Sequence, residues 1–195
     1  MKKMMLLLCA AVLCVSLCAC SANSGQMYIE AAKLDNQAES VMQLLGKGHL
    51  YDFRLDGNMK SMQINAYELI DGQWSMITGG GIAVSGDKGR LGITFDQIGD
   101  GLRVAVQSGS ENSVTAYSKD TGRNEKPMAR LSCMLSGRKA VNYEQEIPLA
   151  VQIIAAGSAA SPEGVEGFFT PEIYAGKGYE HVYALTVIFS TAALE

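Results

Sequence analysis

Met62-Gln-Ile-Asn-Ala-Tyr-Glu-Leu-Ile-Asp-Gly-Gln-Trp-Ser-Met76 is the stretch whose pattern decides the fold. Met62, Ile64 and Ala66 alternate with polar neighbours, the period of a strand with one face in a core. Tyr67 and Leu69 then switch the phase, which predicts a β-bulge. Asp71-Gly72 separates this run from Trp74-Ser-Met76, and Asp-Gly suits a two-residue hairpin turn that needs positive φ at both positions. The expectation is an antiparallel hairpin carrying one bulge.

The period of two extends outward in both directions. Upstream, Tyr51, Phe53 and Leu55 alternate with Asp52 and Arg54 as far as the Asp56-Gly57 turn. Downstream come Ile82 to Val84, then Leu91, Ile93 and Phe95, and, after Asp100-Gly101, Leu102, Val104 and Val106. Residues 113–118 are a weaker strand. Leu131 to Leu135, Ile147 to Ala156 and His181 to Ser190 complete nine or ten strands. The last two are nearly continuous in apolar residues, the signature of central strands. No helical crossovers separate neighbours, so the sheets should be mainly antiparallel. The expected fold is mainly β, a single antiparallel β-sandwich over residues 27–195, with an open barrel as the alternative. One short helix is expected near 36–45, with Asp35 as N-cap, Val41, Leu44 and Leu45 as its apolar stripe, and Gly46 after its end. Met27 to Leu34 either extends that helix or forms a short strand, and Pro171 to Tyr174 forms one helical turn.

The N-terminus is a different object. Of residues 1–20 all but Lys2, Lys3 and Ser16 are apolar, and four of the five cysteines lie there. Met4 to Leu17 would span about 21 Å as a helix, short of the roughly 30 Å hydrocarbon core, so a signal peptide is expected and not a membrane span. Leu17-Cys18-Ala19-Cys20 closes that run and resembles the lipobox of bacterial lipoproteins. The resemblance implies cleavage between Ala19 and Cys20 and lipidation of the Cys20 thiol. Residues 1–19 are then the signal peptide and 20–26 a short tether, about 20 Å for the six residues after Cys20. The implied location is the outer face of the cell membrane or of an envelope membrane, and the implied partner is the membrane through its lipid anchor.

Beyond residue 20 the chain carries one cysteine, all 21 glycines, and 14 basic against 20 acidic residues, a net of −6. That balance excludes a disulfide scaffold and argues against nucleic acid as a partner. One segment is basic: Lys119, Arg123, Lys126, Arg130, Arg138 and Lys139 stand against Asp120 and Glu125, a local +4. These six are candidate contacts for an anionic surface, whether lipid or envelope polymer; the alternative is a solvated loop at 121–127.

Catalytic patterns are incomplete. Gly79-Gly-Gly81 to Gly89 lacks the Gly-Lys-Ser/Thr of a phosphate loop, and hairpin loops and bulges account for its glycines. Gly99-Asp-Gly101 lacks the third glycine of a dinucleotide site. Ser85-Gly-Asp-Lys88 has no Ser-Asp-Asn or Lys-Thr-Gly companion. His49 and His181 do not provide zinc-ligand spacing, so no metal or other cofactor is expected. Cys133 lies in an apolar run and suits a small buried hydrophobe. The expected function is a non-enzymatic binding or structural module that engages an envelope protein or anionic polymer. Two alternatives come from other classes. Carbohydrate or small-ligand capture would use Trp74 as a platform. A hydrolase would use two of the loop acids Glu144, Glu146, Glu163, Glu166 and Glu172 in a cleft.

Overall fold

The Asp71-Gly72 hairpin forms with both central residues at positive φ, 51° and 79°. A bulge is present, but on the partner strand: Ala66 pairs with Thr78 and Tyr67 with Met76, leaving Ile77 as the extra residue. The strand expected to bulge keeps its alternation, with Met62, Ile64 and Ala66 in the main core and Tyr67 and Leu69 packed on the opposite face, which is apolar too. These features come from a computed structural model that describes residues 26–36, 48–118, 129–156 and 163–194. The signal sequence, Ala19, Cys20 and the tether up to residue 25 lie outside the described residues, as does the helix expected near 36–45 apart from Asn36.

Eleven strands are present among the described residues: β1 (Tyr28–Ala31), β2 (Gly48–Arg54), β3 (Ser61–Ile70), β4 (Gln73–Ala83), β5 (Lys88–Thr94), β6 (Gly101–Ser108), β7 (Glu111–Ser118), β8 (Ala129–Met134), β9 (Lys139–Ala140), β10 (Glu146–Ala155) and β11 (His181–Ser190). Every pairing is antiparallel. They form a β-sandwich of two sheets, the first ordered β7-β6-β5-β2-β1-β9 and the second β4-β3-β11-β10-β8. Met27 to Leu34 resolves to strand, as β1. The two segments expected around Trp74 and Ile82 are one strand, β4. Gly79, Gly80 and Gly81 therefore lie inside a strand, where a turn or bulge was expected. Close approach explains Gly80: its Cβ would meet the Tyr117 hydroxyl of the opposite sheet at 2.7 Å and the ring at 2.8 Å, while a Cβ on Gly81 would meet only the tip of the Leu194 side chain.

Alternation explains how the sheets pack. Ile29, Tyr51, Phe53, Leu91, Ile93, Val104 and Val106 point inward from the first sheet, and Met62, Ile64, Leu185, Val187 and Phe189 meet them from the second. Polar groups tie the layers together. The Tyr51 hydroxyl donates to the Leu149 carbonyl at 3.1 Å. Buried Gln152 accepts from Ile98 N–H at 2.8 Å and donates to the Asp96 carbonyl at 3.0 Å and Ser132 Oγ at 3.1 Å. Buried amides hold their place only when satisfied, and this one is.

β10 and β11 are interior strands buried on both sides, which is why their sequences read as unbroken apolar runs. One face enters the main core. The other, carrying Val151, Ile153, Val182 and Ala184, lies under Phe168 and Tyr174. Those rings come from two 3-10 turns, Val165–Phe169 and the expected Pro171–Tyr174. The second sheet is therefore roofed, while no described element covers the first sheet's outer face.

Candidate functional site: the outer faces of the two sheets

On the first sheet the residues between the core positions project outward, and register sorts them into rows across the strands. The end row is Tyr28, Arg54 and Lys88, since Tyr28 pairs with Arg54 and Arg54 with Lys88. The next is Glu30, Asp52, Arg90 and Gln107. A third, Leu50, Gly92, Ala105 and Val114, is small or apolar, and Val114 is 58% exposed. Arg103 lies beyond it, two residues further along β6.

The second row is internally neutralised: Arg90 binds Asp52 through Nε at 2.8 Å and Nη2 at 3.3 Å. Arg138 grips Glu30 with two bonds of 2.9 Å and lies 3.8 Å over the Tyr28 ring. This hydrogen bond holds the Glu30 carboxyl below the ordinary carboxylate range. Arg54, Lys88 and Arg103 are exposed and make no ion pair among the described residues. A cleft of about 660 Å³ opens over this end of the face, lined by Tyr28, Asp52, Arg54, Lys88, Arg90 and Gln107 among others. Its cations were not singled out from sequence. The signal was present in Asp52/Arg54 and Lys88/Arg90 as outward positions of alternating strands, but only register brings 54 beside 88.

The basic segment expected at 119–139 divides differently. Lys119, Arg123 and Lys126 lie outside the described residues. The other three are committed to ion pairs: Arg130 with Asp96 at 2.6 Å, Arg138 with Glu30, and Lys139 with Glu166 at 2.7 Å. Such exposed pairs contribute little to stability, about 0–1 kcal/mol each.

The second sheet's outer face holds the aromatic and acidic candidates. Trp74 is half-buried, stacks on Phe168 with centroids 5.4 Å apart, and donates its indole N–H to the Phe168 carbonyl at 2.8 Å. Tyr67 and Tyr174 flank the same cluster. The polar edge of Trp74 thus serves the roof over the sheet. Glu146 Oε1 accepts from the Tyr67 hydroxyl and Thr186 Oγ1, both at 2.6 Å, and from Asn65 Nδ2 at 3.4 Å. Glu144, at φ 63°, accepts from Ser190 Oγ and Thr191 N–H. Glu163 pairs with Lys177 and Glu166 with Lys139, while Glu172 is exposed. Four of the five candidate acids thus hold neighbouring chain in place.

The phenols here set an alkaline limit. Burial, followed by the Glu146 hydrogen bond, pushes Tyr67 up to about 12. Burial does the same for Tyr174, and burial plus the Asp56 hydrogen bond for Tyr143, each to about 12. A folded-state pKa raised above the ordinary value of about 10 gives stability that is complete below pH ~10 and is lost as pH rises towards ~12. Phenolate absorbance and circular dichroism should therefore change together across that window. Tyr67→Phe removes one such group, so its alkaline transition should be shallower. At neutral pH the same variant should lose about 1 kcal/mol with its hydrogen bond.

The remaining candidates have ordinary surroundings. Cys133 is half-buried on β8. Ser85 Oγ reaches Glu111 Oε2 at 3.5 Å and lies in the turn before β5, not at a helix start. Burial lowers the His49 pKa, and its ring stacks on Phe95. His181 opens β11, with Nδ1 2.7 Å from Glu68 Oε1. Among the described residues no three His, Cys, Asp or Glu side chains gather as a metal site. The chain matches no protein-family model, no curated protein and no solved structure.

Proposed function

We propose that this protein is an exported cell-envelope lipoprotein, held at the membrane through Cys20, whose β-sandwich is a non-enzymatic binding or structural module. The observation that carries the proposal is Leu17-Cys18-Ala19-Cys20 at the end of a lysine-led apolar run. Two features of the sandwich support it. Its first strand begins at Tyr28, so little chain separates the anchor from folded structure. Most of the candidate acids are also engaged in holding turns and strands, as a binding scaffold requires. Among the described residues no helix is long and apolar enough to cross a membrane, and in this reading the acyl chains provide the attachment. Each buried methylene contributes about 0.8 kcal/mol, so two or three acyl chains hold the domain at the bilayer.

The test is a Cys20→Ala substitution followed by metabolic labelling with a fatty acid and membrane fractionation. Wild type should carry label and sediment with membranes. The variant should carry no label and keep its uncleaved signal, because cleavage in this class follows lipidation. Equal labelling of the two proteins would remove the proposal.

A further inference from the structure

The row formed by Tyr28, Arg54 and Lys88 has an unusual charge arrangement. Two like charges directly opposite each other on neighbouring strands repel, and no acidic side chain among the described residues pairs with either. Arg138 extends the row by lying on the Tyr28 ring. Among the described residues projecting from this outer face, Arg54, Lys88, Arg90, Arg103 and Arg138 oppose Glu30 and Asp52, a net of +3, although the chain beyond residue 20 is acidic. The opposite side of the sandwich has the reverse sign. Its roof carries Glu163, Glu166, Glu172 and Glu180 against Lys177 and the Lys139 that pairs with Glu166, a net of −2. The domain thus has a positive face and a negative face.

The end of the sheet that carries this row is also where β1 begins. Tyr28 stands in the cationic row and is the first residue of β1, and residues 21–26 reach about 20 Å at most. We propose that the outer face of the first sheet, led by Arg54 and Lys88, lies against the anionic lipid headgroups of the bilayer that holds the Cys20 anchor. This inference rests on the lipoprotein reading and adds to it the orientation of the domain. Headgroup phosphates supply the counter-charge that Arg54 and Lys88 lack, and the 660 Å³ cleft over the row gives them access. The exposed Val114 row lies beside it on the same face. The acidic roof then faces away from the membrane, where a binding partner can approach.

The test uses the acylated protein reconstituted in two vesicle types: phosphatidylcholine alone, and phosphatidylcholine mixed with phosphatidylglycerol. A water-soluble amine reagent reports on Lys88, with Lys177 of the roof as internal reference, and mass spectrometry reads both. In the anionic vesicles Lys88 should react about fivefold more slowly relative to Lys177. High salt should remove the difference. Arg54→Glu, which places an acid opposite Lys88 and keeps it as reporter, should weaken the protection. Equal Lys88 rates in the two vesicle types, with Cys20 shown to be acylated, would overturn the orientation and leave the lipoprotein reading standing. The same protection from inorganic phosphate without anionic lipid would also overturn it, making the cleft a small-anion site. An N-terminal peptide without acyl groups would remove both readings.

Discussion

Replacing Phe189 by alanine is expected to lower the unfolding free energy by about 3–5 kcal/mol. Phe189 is fully buried near the end of β11, the middle strand of the second sheet. Its ring meets Phe53 of the opposite sheet, with centroids 5.3 Å apart. Truncation loses the transfer energy of the ring and leaves a cavity between two sheets that are each held by continuous ladders and cannot easily collapse into it. Domains of this kind have only about 5–15 kcal/mol in total, so the loss is a large fraction. Urea unfolding should show a lower midpoint at unchanged slope. Phe189→Leu, which refills most of the space, should cost less than half as much. Equal costs for the two variants would show that the site is not tightly packed.

The second large effect comes from adding atoms at the neighbouring point. A Cβ on Gly89 would sit 2.3 Å from the Gln107 carbonyl oxygen and 2.4 Å from Phe53 Cζ. The first contact is with backbone of the paired strand β6, which cannot rotate away. The second is with the same Phe53 ring that packs on Phe189. Gly89→Ala should therefore separate β5 from β6 locally and displace Phe53, costing about 2–3 kcal/mol. Gly137→Ala is the control: no heavy atom lies within 4 Å of its added Cβ, and its effect should stay within about 0.5 kcal/mol. Because both sites act through Phe53, the costs of Phe189→Ala and Gly89→Ala should not add, and a double-mutant cycle will report the coupling.

These two residues also mark where sequence reasoning stops. Phe189 is legible as a core residue because it lies in an apolar run of strand length. Gly89 looks like one more glycine of a loop-rich stretch, since nothing local records that Phe53 and Gln107 close over it. The same holds for Gly80 and Gly81, which resemble turn residues until Tyr117 and Leu194 are seen packed on them. The short β9 was also hidden: Lys139-Ala140 has no strand pattern, and it exists by pairing with β1.

The candidate surfaces divide along the same line. Trp74 was visible as a single large aromatic, but whether it is a platform or a packing residue depended on Phe168, 94 positions away. The basic segment at 119–139 was visible as a run of charge. Its partners Asp96, Glu30 and Glu166, distant in sequence, were not.

What the sequence by itself determined is what depends on period, turn chemistry and composition. That covers the hairpin at Asp71-Gly72, the antiparallel β class and the central strands. Each is set by residues within a few positions of one another, where sterics and alternation act directly. Only the tertiary structure decided which outward residues become neighbours. Whether Arg54 stands beside Lys88 depends on the register between strands more than thirty residues apart, and that register is chosen by the core on the other face of the sheet. The charge of the exposed face is thus a consequence of packing it does not take part in.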